Sequence, residues 1–280
     1  MTGTLFAVLL FGALAAGALG SALGMAGGIF VVPLLTLVAH APFVMAVGVS
    51  LLSVIACSCA GAPSFLAAGL TNLRLAVVLE VATTMGSLIG VLMIGIVPGP
   101  MLYGIFSAVL LVSAVQLATG RRTQVGRAHH GGRYRSVAGA FANHDGSIVS
   151  YQVVRLPLGA MLMVGAGVLS ALLGIGSGVL KIPAMDSALK IPIKASSATA
   201  NLMIGATACG AAAAFLLSGD LDLGSAAPVI LGSLAGSILG AKILVRAAGP
   251  ALRIVFMVVL VGVAIPMSAS AFGLNWGASA

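Results

Sequence analysis

Two glycine-rich stretches hold the most specific chemistry in this chain. They are Gly20-Ser21-Ala22-Leu23-Gly24-Met25-Ala26-Gly27-Gly28-Ile29-Phe30-Val31-Val32-Pro33 and Gly174-Ile175-Gly176-Ser177-Gly178-Val179-Leu180-Lys181-Ile182-Pro183. Glycine permits an unwound backbone, and proline lacks an N–H and so frees a carbonyl in the preceding turn. A helix that starts after such a break aims free N–H groups and the positive end of its dipole at an anion. Gly24, Gly27 and Gly28, with Gly174, Gly176 and Gly178, are therefore candidate contacts for a sulfonate or carboxylate. Close helix packing through small residues is the competing use, and the presence of two copies weighs against it. Ser50 and Ser53 follow the first stretch, and Ser196, Ser197, Thr199 and Asn201 follow the second. Their hydroxyl and amide groups supply donors for sulfonate oxygens. A single hydroxyl in a membrane helix usually bonds its own backbone, so the paired clusters carry the expectation, with Asn201 the preferred member.

Two charged residues lie inside apolar segments. Lys181 stands two residues before Pro183, where a cation is costly unless it faces a cavity or is paired. It either binds the anion directly, or pairs with Asp186 or snorkels to the interface. Glu80 lies about two turns into another apolar segment, where protonation would remove the cost of its charge. It is either a coupling site or the partner of Arg74 or another basic residue.

The elements that must position these residues are membrane helices. Of the 280 residues, 60% are hydrophobic and only 6% charged, and the mean hydropathy is +1.22. That leaves too little polar surface to cover a water-soluble globule, so lipid is the solvent. Thr4 to Ala39, Phe43 to Leu70 and Leu75 to Val97 each exceed the roughly 20 residues that cross a hydrocarbon core. Met1 to Thr4 carries no side-chain charge, so the first segment is expected to stay rather than act as a cleaved signal. The formal charge of +8 sits at helix ends and in one polar stretch, which reports orientation and excludes a nucleic-acid partner. Cys57, Cys59 and Cys209 all lie in apolar runs and read as packing residues, and Cys57-Ser58-Cys59 has no neighbouring metal partner. His129-His130 falls in the polar stretch. No nucleophile–histidine pairing and no HExxH pattern occurs, so neither an enzyme nor a metal or cofactor site is expected.

The chain divides into a first transmembrane repeat (1–120), a basic hydrophilic linker (121–155) and a second repeat (156–280). With a constant shift of 150, Gly24 falls on Gly174, Gly28 on Gly178 and Pro33 on Pro183. Further on, Gly86 to Gly90 meets Gly236 to Gly240, Pro100 meets Pro250 and Phe106 meets Phe256. Each half opens with an apolar stretch too long for one span, which must be broken, paired or re-entrant. Segments at 43–69, 75–97 and 101–119 follow in the first half, and at 193–218, 224–246 and 251–271 in the second, eight in all if each opening stretch counts once. Arg74 and the arginine-rich linker share a side in the first half, whereas Asp220 and Asp222 replace Arg74 in the second. The positive-inside rule then favours inverted over parallel repeats, which requires each opening stretch to return as a hairpin. The fold class expected is an all-α integral membrane protein with two homologous, inverted repeats. Such duplications most often mean transporters.

The two motifs ending in Pro33 and Pro183, with Ala46-Val47-Gly48-Val49-Ser50-Leu51 and Ser197-Ala198-Thr199-Ala200-Asn201-Leu202, resemble the TauE/SafE family of sulfite and organosulfonate exporters, which includes YfcA-like proteins. The resemblance covers nearly all the chain except the linker. It implies a multi-pass permease of the bacterial inner membrane, moving small anions such as sulfite or sulfoacetate by alternating access between the broken helices. Ala26 and Ser177 depart from the family motif where glycine is usual, and Lys181 where an apolar residue is common. With the cytoplasm negative, each net negative charge leaving gains about 2.3 kcal/mol per 100 mV, so export of a monovalent anion needs no coupling ion. An anion-selective channel and a non-transporting assembly subunit are the alternatives. The partners expected are the small anion and the lipid bilayer, and a homo-oligomer stays open.

Overall fold

A computed structural model describes residues 3–22, 24–94, 96–119, 134–142, 148–218, 223–246 and 249–271. His129-His130, Asp220 and Asp222 lie outside the described residues. The first half contains α1 (Gly3–Ala22), α2 (Gly28–Pro33) continued by a π-helical turn (Leu34–Val38), α3 (Phe43–Ala67), α4 (Leu73–Met93) and α5 (Gly99–Thr119). After strands β1 (Tyr134–Ala142) and β2 (Ile148–Val153), the second half contains α6 (Leu156–Leu173), α7 (Gly178–Ser187), α8 (Ile193–Ser218), α9 (Leu223–Arg246) and α10 (Gly249–Ala271). Five stretches among the described residues are long and apolar enough to cross a membrane: α1, α3, α4, α6 and residues 194–217 of α8. On α4, Val77, Val81, Met85, Leu88 and Leu92 recur every three or four residues and are exposed. A lipid-facing helix must carry such an outward apolar stripe.

Both opening stretches fold back on themselves. A Cβ built on Gly12 would meet Leu34, one on Gly17 or Gly20 lies against α9 or Gly27 respectively, and one on Gly27 would meet Ala16. α2 therefore runs antiparallel along α1. In the second half, a Cβ on Gly159 would meet Leu189, so α7 returns along α6 in the same way. The backbone conformations of the two hairpins match at positions 150 apart. Gly24 and Gly174 have φ of 74° and 65°, Ala26 and Gly176 of 50° and 69°, Gly27 and Ser177 of 59° and 45°, and His40 and Lys190 of 51° and 60°. Hydrogen bonds recur at the same shift: Phe30 N donates to Gly27 O as Leu180 N does to Ser177 O, and Ala41 N to Leu35 O as Ile191 N to Met185 O.

The helices then pack across the halves. On α9, a Cβ at Gly232, Gly236 or Gly240 would meet Leu10 O, Leu14 O or Ala18 O of α1; on α4, a Cβ at Gly86 or Gly90 would meet Val164 O or Val168 O of α6. Each set of contacts holds a parallel pair of helices at the close approach that small residues allow. α3 and α8 instead run antiparallel, since Ser58 Oγ donates to Asn201 O and Phe65 clusters with Ala198. α5 and α10 are antiparallel too, with Ser107 Oγ donating to Ala264 O.

The linker holds an element that sequence reading did not expect: β1 and β2 pair antiparallel, with Gly139 opposite Tyr151 and Phe141 opposite Val149. Ile148-Val149-Ser150-Tyr151-Gln152-Val153 has the β-branched and aromatic content of a strand, which the surrounding arginines obscured. Tyr151 Oη accepts a bond from Asn72 Nδ2 at 3.2 Å, which puts this end of the linker beside the start of α4 and close in sequence to Arg74.

Candidate functional site

The two hairpin tips meet. A Cβ on Gly28 would lie 2.8 Å from Gly174 O and 3.1 Å from Ser50 Oγ, and one on Gly178 would lie 2.9 Å from Met25 Cα and 3.3 Å from Gly24 O. α3 and α8 flank the junction: Gly24 abuts Ser197 and Gly174 abuts Val47, while Gly176 touches both Val54 and Ile204. Ser50 ties the tips together, its hydroxyl donating to Gly174 O at 2.7 Å with Gly28 O at 3.2 Å as a second acceptor. Gly24, Gly28, Gly174, Gly176, Gly178, Ser50 and Ser197 are thus gathered at one place, whereas Gly27 faces Ala16 and Gly17 of α1.

Ser177, the residue before α7 and between Gly176 and Gly178, is fully buried and its hydroxyl has no hydrogen-bond partner, whereas the Ser53 side chain, one turn beyond Ser50, is buried beside the Cys57 thiol. A buried hydroxyl left unbonded carries a desolvation cost that a ligand could remove. The other candidates have different surroundings. Ser196 Oγ donates to Ile191 O and so serves the nearby backbone, while Thr199 Oγ1 accepts from Asn72 N and so ties α8 to the start of α4. Asn201 is fully buried with neither amide atom bonded. A Cβ on Gly61 would lie 3.2 Å from its Oδ1, placing Asn201 in a separate niche between α3 and α8.

Lys181 and Glu80 find each other. Lys181 Nζ lies 3.1 Å from Glu80 Oε2, with the lysine side chain fully buried and that of Glu80 15% exposed. Thr207 completes the group: Nζ donates to its Oγ1 at 2.7 Å, and that hydroxyl is 2.6 Å from Glu80 Oε1. The group joins α7, α4 and α8. Sequence reading offers Asp186 for Lys181, and Arg74 or another basic residue for Glu80; the basic residue is Lys181 itself, and the pair spans 101 positions. Thr207 was missed altogether, and its separation from both partners gave no local signal. Ala26 and Ser177, the departures from glycine, both adopt positive φ, a region in which glycine costs least.

The family model described as "Sulfite exporter TauE/SafE" matches residues 9–267. Among curated proteins, the chain is 25% identical over 221 residues to "Probable membrane transporter protein YdhB" of Bacillus subtilis (strain 168), covering 79% of this chain and 82% of that protein. It is also 25% identical over 248 residues to "Probable membrane transporter protein YunE" of the same organism, covering 85% and 88%. No solved structure matches the chain.

Proposed function

The chain belongs to the sulfite exporter TauE/SafE family and is a multi-pass membrane transporter of that type, and from this premise we propose that it exports small sulfur-containing anions, such as sulfite, sulfoacetate or related sulfonates, across the bacterial cell membrane. The observation that carries the reading is the junction of the two hairpin tips, where Ser177, between Gly176 and Gly178, is buried without a hydrogen-bond partner. An oxyanion has acceptor oxygens for such a hydroxyl, and the starts of α2 and α7 add the favourable ends of two helix dipoles.

Alternating access follows from two inverted repeats. The matched φ values and hydrogen bonds 150 positions apart support the duplication, and the antiparallel runs of α3 with α8 and of α5 with α10 support inversion. The tips touch in this conformation, so the anion reaches them when one hairpin and its partner helices move away from the other. Glu80 acts as the coupling residue: its carboxylate and the incoming anion compete for the Lys181 ammonium. The test is binding of sulfite, sulfoacetate, taurine, sulfate and acetate to the purified protein, read as thermal stabilisation. One sulfur oxyanion should stabilise the wild type saturably, with affinity falling about tenfold, or 1.4 kcal/mol, in Ser177→Ala. If no anion shifts the melting curve, or the variant responds as the wild type does, the substrate class or the junction site is wrong.

A further inference from the structure

A second cluster of unbonded polar atoms lies away from the Lys181 group. Gly61 of α3 faces three side-chain oxygens from three other helices. A Cβ built on it would lie 3.0 Å from Ser21 Oγ of α1, 3.2 Å from Asn201 Oδ1 of α8 and 3.3 Å from Ser237 Oγ of α9. Ser21 and Asn201 are fully buried, and neither the hydroxyl nor either amide atom has a hydrogen-bond partner. Three converging oxygens around a residue with no side chain form a built niche, and its unbonded members are costly in an apolar surround unless something binds there.

The sign of the missing ligand follows from the chemistry of these atoms. The hydroxyl of Ser237 donates its proton to Cys57 O at 2.7 Å and so presents lone pairs towards Gly61. Ser58 donates to the backbone carbonyl of Asn201 at 2.6 Å, which holds α8 against α3 and leaves the side-chain Oδ1 of Asn201 free to accept. Ser21 stands in the last turn of α1, which ends at Ala22, where the helix dipole places partial negative charge. No carboxylate is among the three oxygens, so a divalent ion, which needs charged ligands, is disfavoured. We infer that Ser21, Asn201 and Ser237 bind one monovalent cation of sodium's size beside Gly61. Half-helix C-terminal ends and neutral oxygens are the means by which transporters hold such ions. The ion is a resident of the resting state, and its positive charge lies beside the end of the hairpin whose other arm, α2, starts at the anion junction. The inference rests on the proposed transport reading only for that last link.

The test uses the full-length protein in detergent without added anion substrate, with melting temperature followed as sodium chloride replaces choline chloride or potassium chloride at equal ionic strength. Sodium should raise the melting temperature saturably and choline should not. Ser21→Ala removes a hydroxyl that bonds nothing in the fold, and Gly61→Ala puts a methyl group where the ion's oxygens converge. Apparent sodium affinity should fall about 10-fold or more in at least one of them. Equal melting in sodium and choline, or an undiminished sodium response in both variants, overturns the site. Anion flux measured separately in sodium medium keeps the two readings apart: flux without a sodium shift sinks the ion site alone, and a sodium shift without flux sinks the transport reading alone.

Discussion

Replacing Lys181 by methionine keeps most of the side-chain volume and removes the charge, which isolates the ion pair from packing. At 3.1 Å and an effective dielectric constant of about 20, the attraction to Glu80 is roughly 5 kcal/mol. Withdrawing the two ions from water costs several kcal/mol each, so the intact pair is close to balance. A single removal is different, because it strands a charge, and the usual penalty is about 3–5 kcal/mol. Glu80 retains 15% exposure, so Lys181→Met should fall near the low end, about 3 kcal/mol. The double variant Lys181→Met, Glu80→Leu should recover to within about 1 kcal/mol of the wild type. Thr207 keeps a partner there, since its hydroxyl also reaches Met203 O at 3.1 Å. Equilibrium unfolding of the purified single and double variants measures this. A double variant as unstable as Lys181→Met would show that the loss is one of packing and refute the charge argument.

Three further outcomes follow. Gly28→Ala, whose Cβ would sit 2.6 Å from Val54 Cγ2 and 2.8 Å from Gly174 O, should wedge the hairpin tips apart and reduce anion flux about 10-fold or more while membrane insertion persists; unchanged flux in reconstituted vesicles would count against the junction. Ala26→Gly and Ser177→Gly each relieve a positive φ and should stabilise the protein by about 1 kcal/mol, read from its melting curve. Burial pushes the Tyr151 phenol above its ordinary pKa of 10.0, against a smaller opposing effect from the Asn72 bond. The folded chain therefore holds this proton more tightly than the unfolded one, so the contribution is complete below pH 10 and is lost as pH rises through the folded value. Tyr151→Phe should abolish that alkaline loss in a pH series of melting curves.

The helices were legible because the bilayer sets their length and glycine and proline mark their breaks. Residues 43–69 were expected as one segment and Phe43–Ala67 is found; 193–218 matches α8 at both ends. α4 stops short of its expected end, at Met93, and Ile94 turns extended with ψ of 132°. Treating the opening stretches as single segments gave eight, whereas the hairpins divide each into two helical arms. The hairpin-tip residues could be named from sequence because the motif itself repeats. The partner of Lys181 could not, because Glu80 and Thr207 reach it only after α4 and α8 pack around α7. For the same reason Asn201 stood out in sequence only as an amide donor for sulfonate oxygens, while its neighbours Ser21, Gly61 and Ser237 emerged from the crossing of four helices.

The most direct measurement of the transport reading is counterflow of labelled sulfite or sulfoacetate in vesicles reconstituted with wild-type protein and with Gly28→Ala. The expected result is saturable flux, accelerated by unlabelled substrate on the opposite side and by a potential that drives the monovalent anion outward, and largely lost in Gly28→Ala. Flux no greater than in protein-free vesicles, or equal flux through the variant, would contradict transport of these anions through the meeting point of the two hairpins.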